Sequence, residues 1–180
     1  MSPEAGEPAG TEAGRATSAG EPAEQSGHSP EARLSALGLT LPAVPRPLAA
    51  YVPAVRSGSH VYTSGQLPMA DGQLLAAGKV GADVGVAEAS ALARACALNA
   101  LAAVVSVTGG LSAVLRIVKV TGFVASEPGF TEQAQVVNGA SELLLEVFGD
   151  AGRHARSAVG TAVLPRNSPV EIELIAEVRD

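Results

Sequence analysis

Aromatic residues are nearly absent from this chain. Phe, Tyr and Trp make up 3% of its 180 residues, and there is no Trp at all. With 47% hydrophobic residues the chain can still bury a sizeable core, but Ala, Val and Leu must fill it, which suits helices packed closely on a sheet. Cys96 is alone, which rules out a disulfide framework or a thiolate metal cluster within one chain. His60 and His154 lack ligand spacing, and His28 stands far from both, so no zinc site is expected. The formal net charge of −6 and the lack of a basic cluster argue against a general nucleic-acid binder. No uninterrupted apolar run approaches the roughly 18 residues of a membrane span. Nor does the N-terminus show the basic and apolar regions of a signal peptide. A soluble, cytoplasmic protein is expected.

Residues 1–29 are mainly Glu, Pro, Ala, Gly, Ser and Thr and include no Leu, Ile or Val. Such a segment buries too little apolar surface to offset its ordering entropy, so it is expected to be a disordered tail ahead of one domain over 30–180. The tail holds five of the 18 acidic residues and one of the 12 basic ones, which leaves the domain nearly neutral.

Within that domain, Ser29-Pro30-Glu31 reads as the cap and first turn of a short helix ending near Gly38. The proline-rich stretch 39–53 reads as an extended linker laid over the domain. Tyr51, at its end, either packs on the surface or enters a site. Ala54–Arg56 and His60–Ser64 around Ser57-Gly58 read as a hairpin. Gly65 follows, where the backbone can be approached closely. Asp71-Gly72 marks a turn before a short edge strand at Leu74-Leu75. Gly78, Gly81 and Gly85 match no phosphate-binding fingerprint. Val86–Val107 is the longest helical run, closed by Gly109-Gly110 and apolar on more than one side, with Cys96 as a small buried hydrophobe. Val114–Val124 is a β-branched strand. A second helix is expected from a Thr131 cap to Phe148, with Asn138 interrupting its apolar face. A buried Asn there is either a structural hydrogen-bonding group or a ligand contact. The order describes an α+β sandwich with two main helices on one face of a mixed sheet.

The last two strands carry the chemistry. One face from Arg156 to Leu164 bears Arg156, Ala158, Gly160 and Ala162, small residues that allow close approach by a ligand or another subunit. The next strand alternates Val170, Ile172 and Leu174 with Glu171 and Glu173. The connection 164–169 is too short for a helix. Arg156 either pairs with a glutamate across the sheet or grips a substrate carboxylate through two parallel hydrogen bonds.

Several segments in order resemble one family: Ser64-Gly65-Gln66-Leu67-Pro68, Ala97–Leu101, Val118–Val124, Asn138, Ala155-Arg156-Ser157, Leu164-Pro165 and Val170-Glu171-Ile172-Glu173. These pieces are similar to the Rid family, the YjgF-like reactive intermediate imine deaminases also labelled L-PSP endoribonuclease-like. The match runs from about Tyr51 to the C-terminus and favours a longer variant branch. The resemblance implies a chorismate-mutase-like fold and a homotrimer with sites between subunits. It implies that Arg156 holds the carboxylate of a 2-imino acid and that Glu171 places the attacking water. It further implies that Tyr51, Ser64, Gly65, Asn138 and Ala158 line the cleft. Ala158 stands where the family usually has a cysteine, so thiol chemistry is excluded there.

The expected activity is hydrolysis of enamines and 2-imino acids to 2-oxo acids and ammonia, without cofactor or metal. A non-catalytic trimeric binder of small carboxylates is the alternative. Endoribonuclease activity is third, because no basic groove or His pair is evident. Were the connection 164–169 an ordinary hairpin, Arg156 and Glu171 would lie on the order of 25 Å apart in one chain. They are therefore expected to meet across a subunit interface.

Overall fold

A computed structural model describes residues 29–44 and 50–179. The tail expectation, and the middle of the proline-rich linker, lie outside the described residues. The first helix, α1 (Pro30–Ala36), starts where its sequence says. The Ser29 hydroxyl accepts from the Ala32 amide, and Pro30 occupies the first turn, where no intrahelical donor is needed. Glu31 pins α1 to the domain by accepting from the Ser112 amide and hydroxyl at 2.7 and 2.6 Å.

A five-stranded sheet in the order β1-β2-β7-β5-β6 is the centre of the domain. Its strands are β1 (Ala54–Ser57), β2 (His60–Thr63), β5 (Val114–Ala125), β6 (Ala155–Thr161) and β7 (Val170–Val178). The β1–β2 hairpin turns at Gly58, as expected. A separate two-stranded ribbon, β3 (Met69–Ala70) with β4 (Gln73–Leu74), turns at Asp71-Gly72, so the short edge strand begins one residue earlier than expected.

Two helices cover one face of the sheet. Helix α2 (Val86–Thr108) ends at Gly109 in the left-handed conformation, and α3 (Gln133–Phe148) packs beside it. Thr131 does not cap α3; the cap position is Glu132, with no side-chain hydrogen bond. By length and composition α2 could cross a membrane. Instead, ten of its residues, Leu101 and Cys96 among them, are buried against the sheet and α3. Its ability to face two neighbours at once explains its all-round apolarity.

One expectation about topology fails. β6 and β7 do not form a hairpin. β5, α3 and β6 form a crossover unit that lays β6 parallel to β5 at the sheet edge. β7 then returns antiparallel on the other side of β5. The connection carries one 3₁₀ turn, Pro165–Asn167, with positive φ at Arg166 and Asn167, and β6 stops at Thr161 rather than Leu164. β5 thus separates the two strands that bear Arg156 and Glu171.

Candidate functional site

The register fixes which way each side chain points. Arg156 pairs with buried Val120 of β5, so it lies on the helix-covered side of the sheet, at the edge beside α3. Asn138 and Ser141, three residues apart on α3, share the helix face that meets it. Arg156 Nη1 donates to Asn138 Oδ1 at 2.8 Å and to Ser141 Oγ at 3.1 Å. Among the described residues no carboxylate pairs with this guanidinium, which removes the cross-sheet ion pair as its explanation. Asn138 is exposed, not buried as expected, because α3 turns it out to the sheet edge. Arg156 borders a cavity of about 300 Å³ that is also lined by Ser141, Leu145, Gly152, Arg153 and His154.

Ala158 and Gly160 share the face of Arg156, but they do not form an open floor for a second chain. Ala158 packs on the core, and Gly160 sits beneath Gln133 and Ser126. The side chains of β6 that face away from the helices are Ser157, Val159 and Thr161.

Glu171 belongs to a second cluster. Along β7, Val170, Ile172 and Leu174 are buried and Glu171, Glu173 and Ile175 are half-buried, so the glutamates line the uncovered face. Residues 64–67 continue beyond β2 and rejoin β7 through paired backbone bonds between Gln66 and Ile172. The Thr63 hydroxyl accepts from the Leu174 amide where the register shifts. Gly65 then passes directly against the Glu171 carboxyl, and any Cβ there would collide with it. The Ser64 hydroxyl donates to the Val52 carbonyl at 2.7 Å, which ties down the chain just after Tyr51. Tyr51 itself is exposed.

Burial, and then the neighbouring charge of Glu173, push the Glu171 carboxyl above its ordinary pKa. No hydrogen bond offsets this among the described residues. On the other side of β7, Cys96 is fully buried, and burial holds its thiol well above its usual range, so it supplies no nucleophile. Among the described residues no three His, Cys, Asp or Glu side chains converge to hold a metal ion.

The chain therefore carries two separate clusters. Arg156, Asn138 and Ala158 lie on the helix side at the β6 edge; Glu171, Gly65 and Ser64 lie on or beside the uncovered face. Arg156 and Glu171 flank β5 at Val120 and Phe123. Two strand spacings and three residues of rise put their Cα atoms on the order of 14 Å apart, on opposite faces, which replaces the hairpin estimate. Ser141 and His154 are the polar residues that sequence reasoning missed; the signal was the i, i+3 spacing of Asn138 and Ser141.

A mixed sheet with two helices on one face and a bare opposite face defines the chorismate-mutase-like α+β class. Within it, the family profile described as "YjgF/chorismate mutase-like, putative endoribonuclease" matches residues 31–178, and the chain belongs to this YjgF-like, or Rid, family. Protein TCP17 of Trypanosoma cruzi is 46% identical over 150 residues, covering 83% of this chain and 94% of that one. The crystal structure of Atu1372 from Agrobacterium tumefaciens is 50% identical, with a TM-score of 0.78 over 83% of this chain and 93% of that chain. The crystal structure of E. coli TdcF with bound serine is 29% identical, with a TM-score of 0.56 over 78% of this chain and 96% of that chain.

Proposed function

We propose that this protein hydrolyses 2-imino acids and related enamines to 2-oxo acids and ammonia, in clefts formed between the copies of a homotrimer. The observation that carries the reading is Arg156. It is a guanidinium fixed through one nitrogen at a cavity mouth, with no carboxylate among the described residues in its grip. Its remaining donors suit the carboxylate of a small acid. Arg156 and Glu171 point to opposite faces of one sheet, so a site using both takes Arg156 from one copy and Glu171 from another. Val55, Tyr62 and Val159 are exposed on the uncovered face, apolar surface that a second copy would bury.

The chemistry asks little of the protein. A protonated imine carbon is already electrophilic. Arg156 holds the carboxylate, and Glu171, with its raised pKa, accepts a proton from the attacking water. Water adds to the C=N carbon, the proton passes to nitrogen, the C–N bond breaks, and ammonia leaves a 2-oxo acid. Ser64, Gly65 and Tyr51 shape the wall on the Glu171 side. Asn138 orients the arginine, and Ala158 contributes backbone only.

The serine bound in TdcF favours a second reading, a trimer that binds small amino-acid-like carboxylates without turning them over. The endoribonuclease reading gains nothing. His60 and His154 sit on or beside β2 and β6, three strand positions apart, too far to act on one phosphodiester.

Turnover separates the first two readings. An amino-acid oxidase generates imino acid in situ, and ammonia release is followed with and without the protein. Acceleration by the wild type and at least a ~30-fold loss in Arg156→Ala are expected, the scale of losing one partner of a charged pair. No acceleration by the wild type refutes the enzyme, and an unimpaired Arg156→Ala refutes the site.

A further inference from the structure

His154 is the residue immediately before β6. Its Nδ1 is 2.6 Å from the Gly152 carbonyl oxygen and its Nε2 is 3.0 Å from Ser141 Oγ. A carbonyl can only accept, so Nδ1 carries the proton. In the neutral ring Nε2 is then an acceptor, and the hydroxyl that meets it must be the donor. Ser141 has one proton and has given it to the histidine. Toward Arg156 Nη1, at 3.1 Å, it can only accept. Asn138 Oδ1, at 2.8 Å, takes the other Nη1 proton. Each proton in the chain has one place to go, and both protons of Nη1 are used.

The fork left for a ligand is the side edge of the guanidinium, Nε with Nη2. The anchor of the relay is closely packed. Gly152, which supplies the accepting carbonyl, is buried against the Leu144 carbonyl with no room for a Cβ.

Resting on the reading of Arg156 as the carboxylate grip, we propose that His154 is a positioning residue. Through Ser141 it fixes which edge of Arg156 faces the substrate, and so selects planar carboxylates bound two-point on the Nε–Nη2 edge.

The surroundings keep the ring neutral. Burial first, and the Arg156 charge against the opposing pull of the Gly152 carbonyl, hold His154 below its ordinary pKa. Arg153 shares the cavity and is itself paired with Asp150, and Arg33 of α1 lies against Gly149 at the start of the same turn. No free carboxylate among these groups favours an imidazolium.

The test uses the full chain and pyruvate as the carboxylate probe, with pyruvamide as its neutral counterpart, by titration calorimetry. Ser141→Ala and His154→Phe should each weaken pyruvate roughly threefold to tenfold and lower the preference for pyruvate over pyruvamide. The double variant should lose no more than either single one, since both cut the same relay. His154→Gln supplies an amide N–H for Gly152 and an oxygen for Ser141 and should restore binding, which a merely space-filling role would not predict. Nitrogen NMR of the wild type should show His154 protonated at Nδ1 and bare at Nε2, a readout independent of any ligand.

Wild-type affinity and selectivity in a folded His154→Phe, multiplying losses in the double variant, or the opposite tautomer overturns the proposal. If His154→Phe does not fold, Ser141→Ala, His154→Gln and the tautomer decide. Arg156→Ala distinguishes the failures. If it abolishes pyruvate binding while the relay variants do nothing, only this inference falls. If it binds normally, the carboxylate-grip reading falls and takes this inference with it.

Discussion

The two clusters differ in how they are held. Arg156 is positioned entirely by side chains: Asn138 and Ser141 from α3, with His154 behind them. It stands on an exposed edge strand, where a flexible side chain needs bracing to lose its rotamer freedom before a ligand arrives. Glu171 is positioned by backbone. It sits on β7, hydrogen-bonded on both sides by β5 and by residues 60–66, with Gly65 pressed against its carboxyl. One is a guanidinium held by polar side chains; the other is a half-buried carboxyl with a raised pKa and no hydrogen-bond partner among the described residues. In the proposed site, the cation that would bind a carboxylate is braced by neutral side chains. In the same proposal, the carboxyl that would trade a proton sits half-buried, where burial raises its pKa.

That contrast can be broken most sharply by mixing. If each site takes its arginine and glutamate from different copies, Arg156→Ala and Glu171→Gln are each inactive alone. Refolded together in equal amounts, they should recover about a quarter of wild-type activity, from sites that draw both intact residues. No recovery, in oligomers shown by mass to be mixed, would place both residues of a site on one copy.

Glu171→Gln alone should move activity and stability in opposite directions. Losing the base should lower turnover by about 100-fold while pyruvate binding survives. Stability follows from the raised pKa. A carboxyl that holds its proton more tightly when folded favours the fold at low pH, and the advantage is lost as pH rises from about 4.5 through the folded pKa. Above that window the ionised group is a cost that glutamine removes. The variant should melt higher than the wild type at pH 7 and at the same temperature near pH 4; equal melting at both would refute the unpartnered carboxylate. A smaller effect is expected at Gly65→Ala. It displaces Glu171 but not Arg156, so turnover should fall about tenfold with pyruvate affinity within about twofold of wild type.

What the sequence made legible was local. Ser29-Pro30, Ser57-Gly58 and Gly109 each fix their own turn or helix end with residues a few positions away, and those elements lie where expected. The pairing of β6 was not legible in the connection after it, since six residues can close a hairpin or bridge across a strand. The information was upstream, in the strand–helix–strand order of β5, α3 and β6, which asks for a parallel partner. Arg156 and Glu171 stood out in the sequence as candidates, through the family resemblance. Their supports did not: Ser141 and His154 meet Arg156 only once α3 has packed against the β6 edge.

The single cysteine gives this protein a practical property. Cys96 is sealed in the core with its thiol pushed away from ionising, so the native chain should be silent to maleimide. A cysteine placed at exposed Val159, which shares the uncovered face with Phe123 and Glu171, would be the one address such a reagent can find. Its labelling rate, followed as the protein is diluted, becomes a clock for association: fast on separated chains, slow wherever a neighbour has closed over that face.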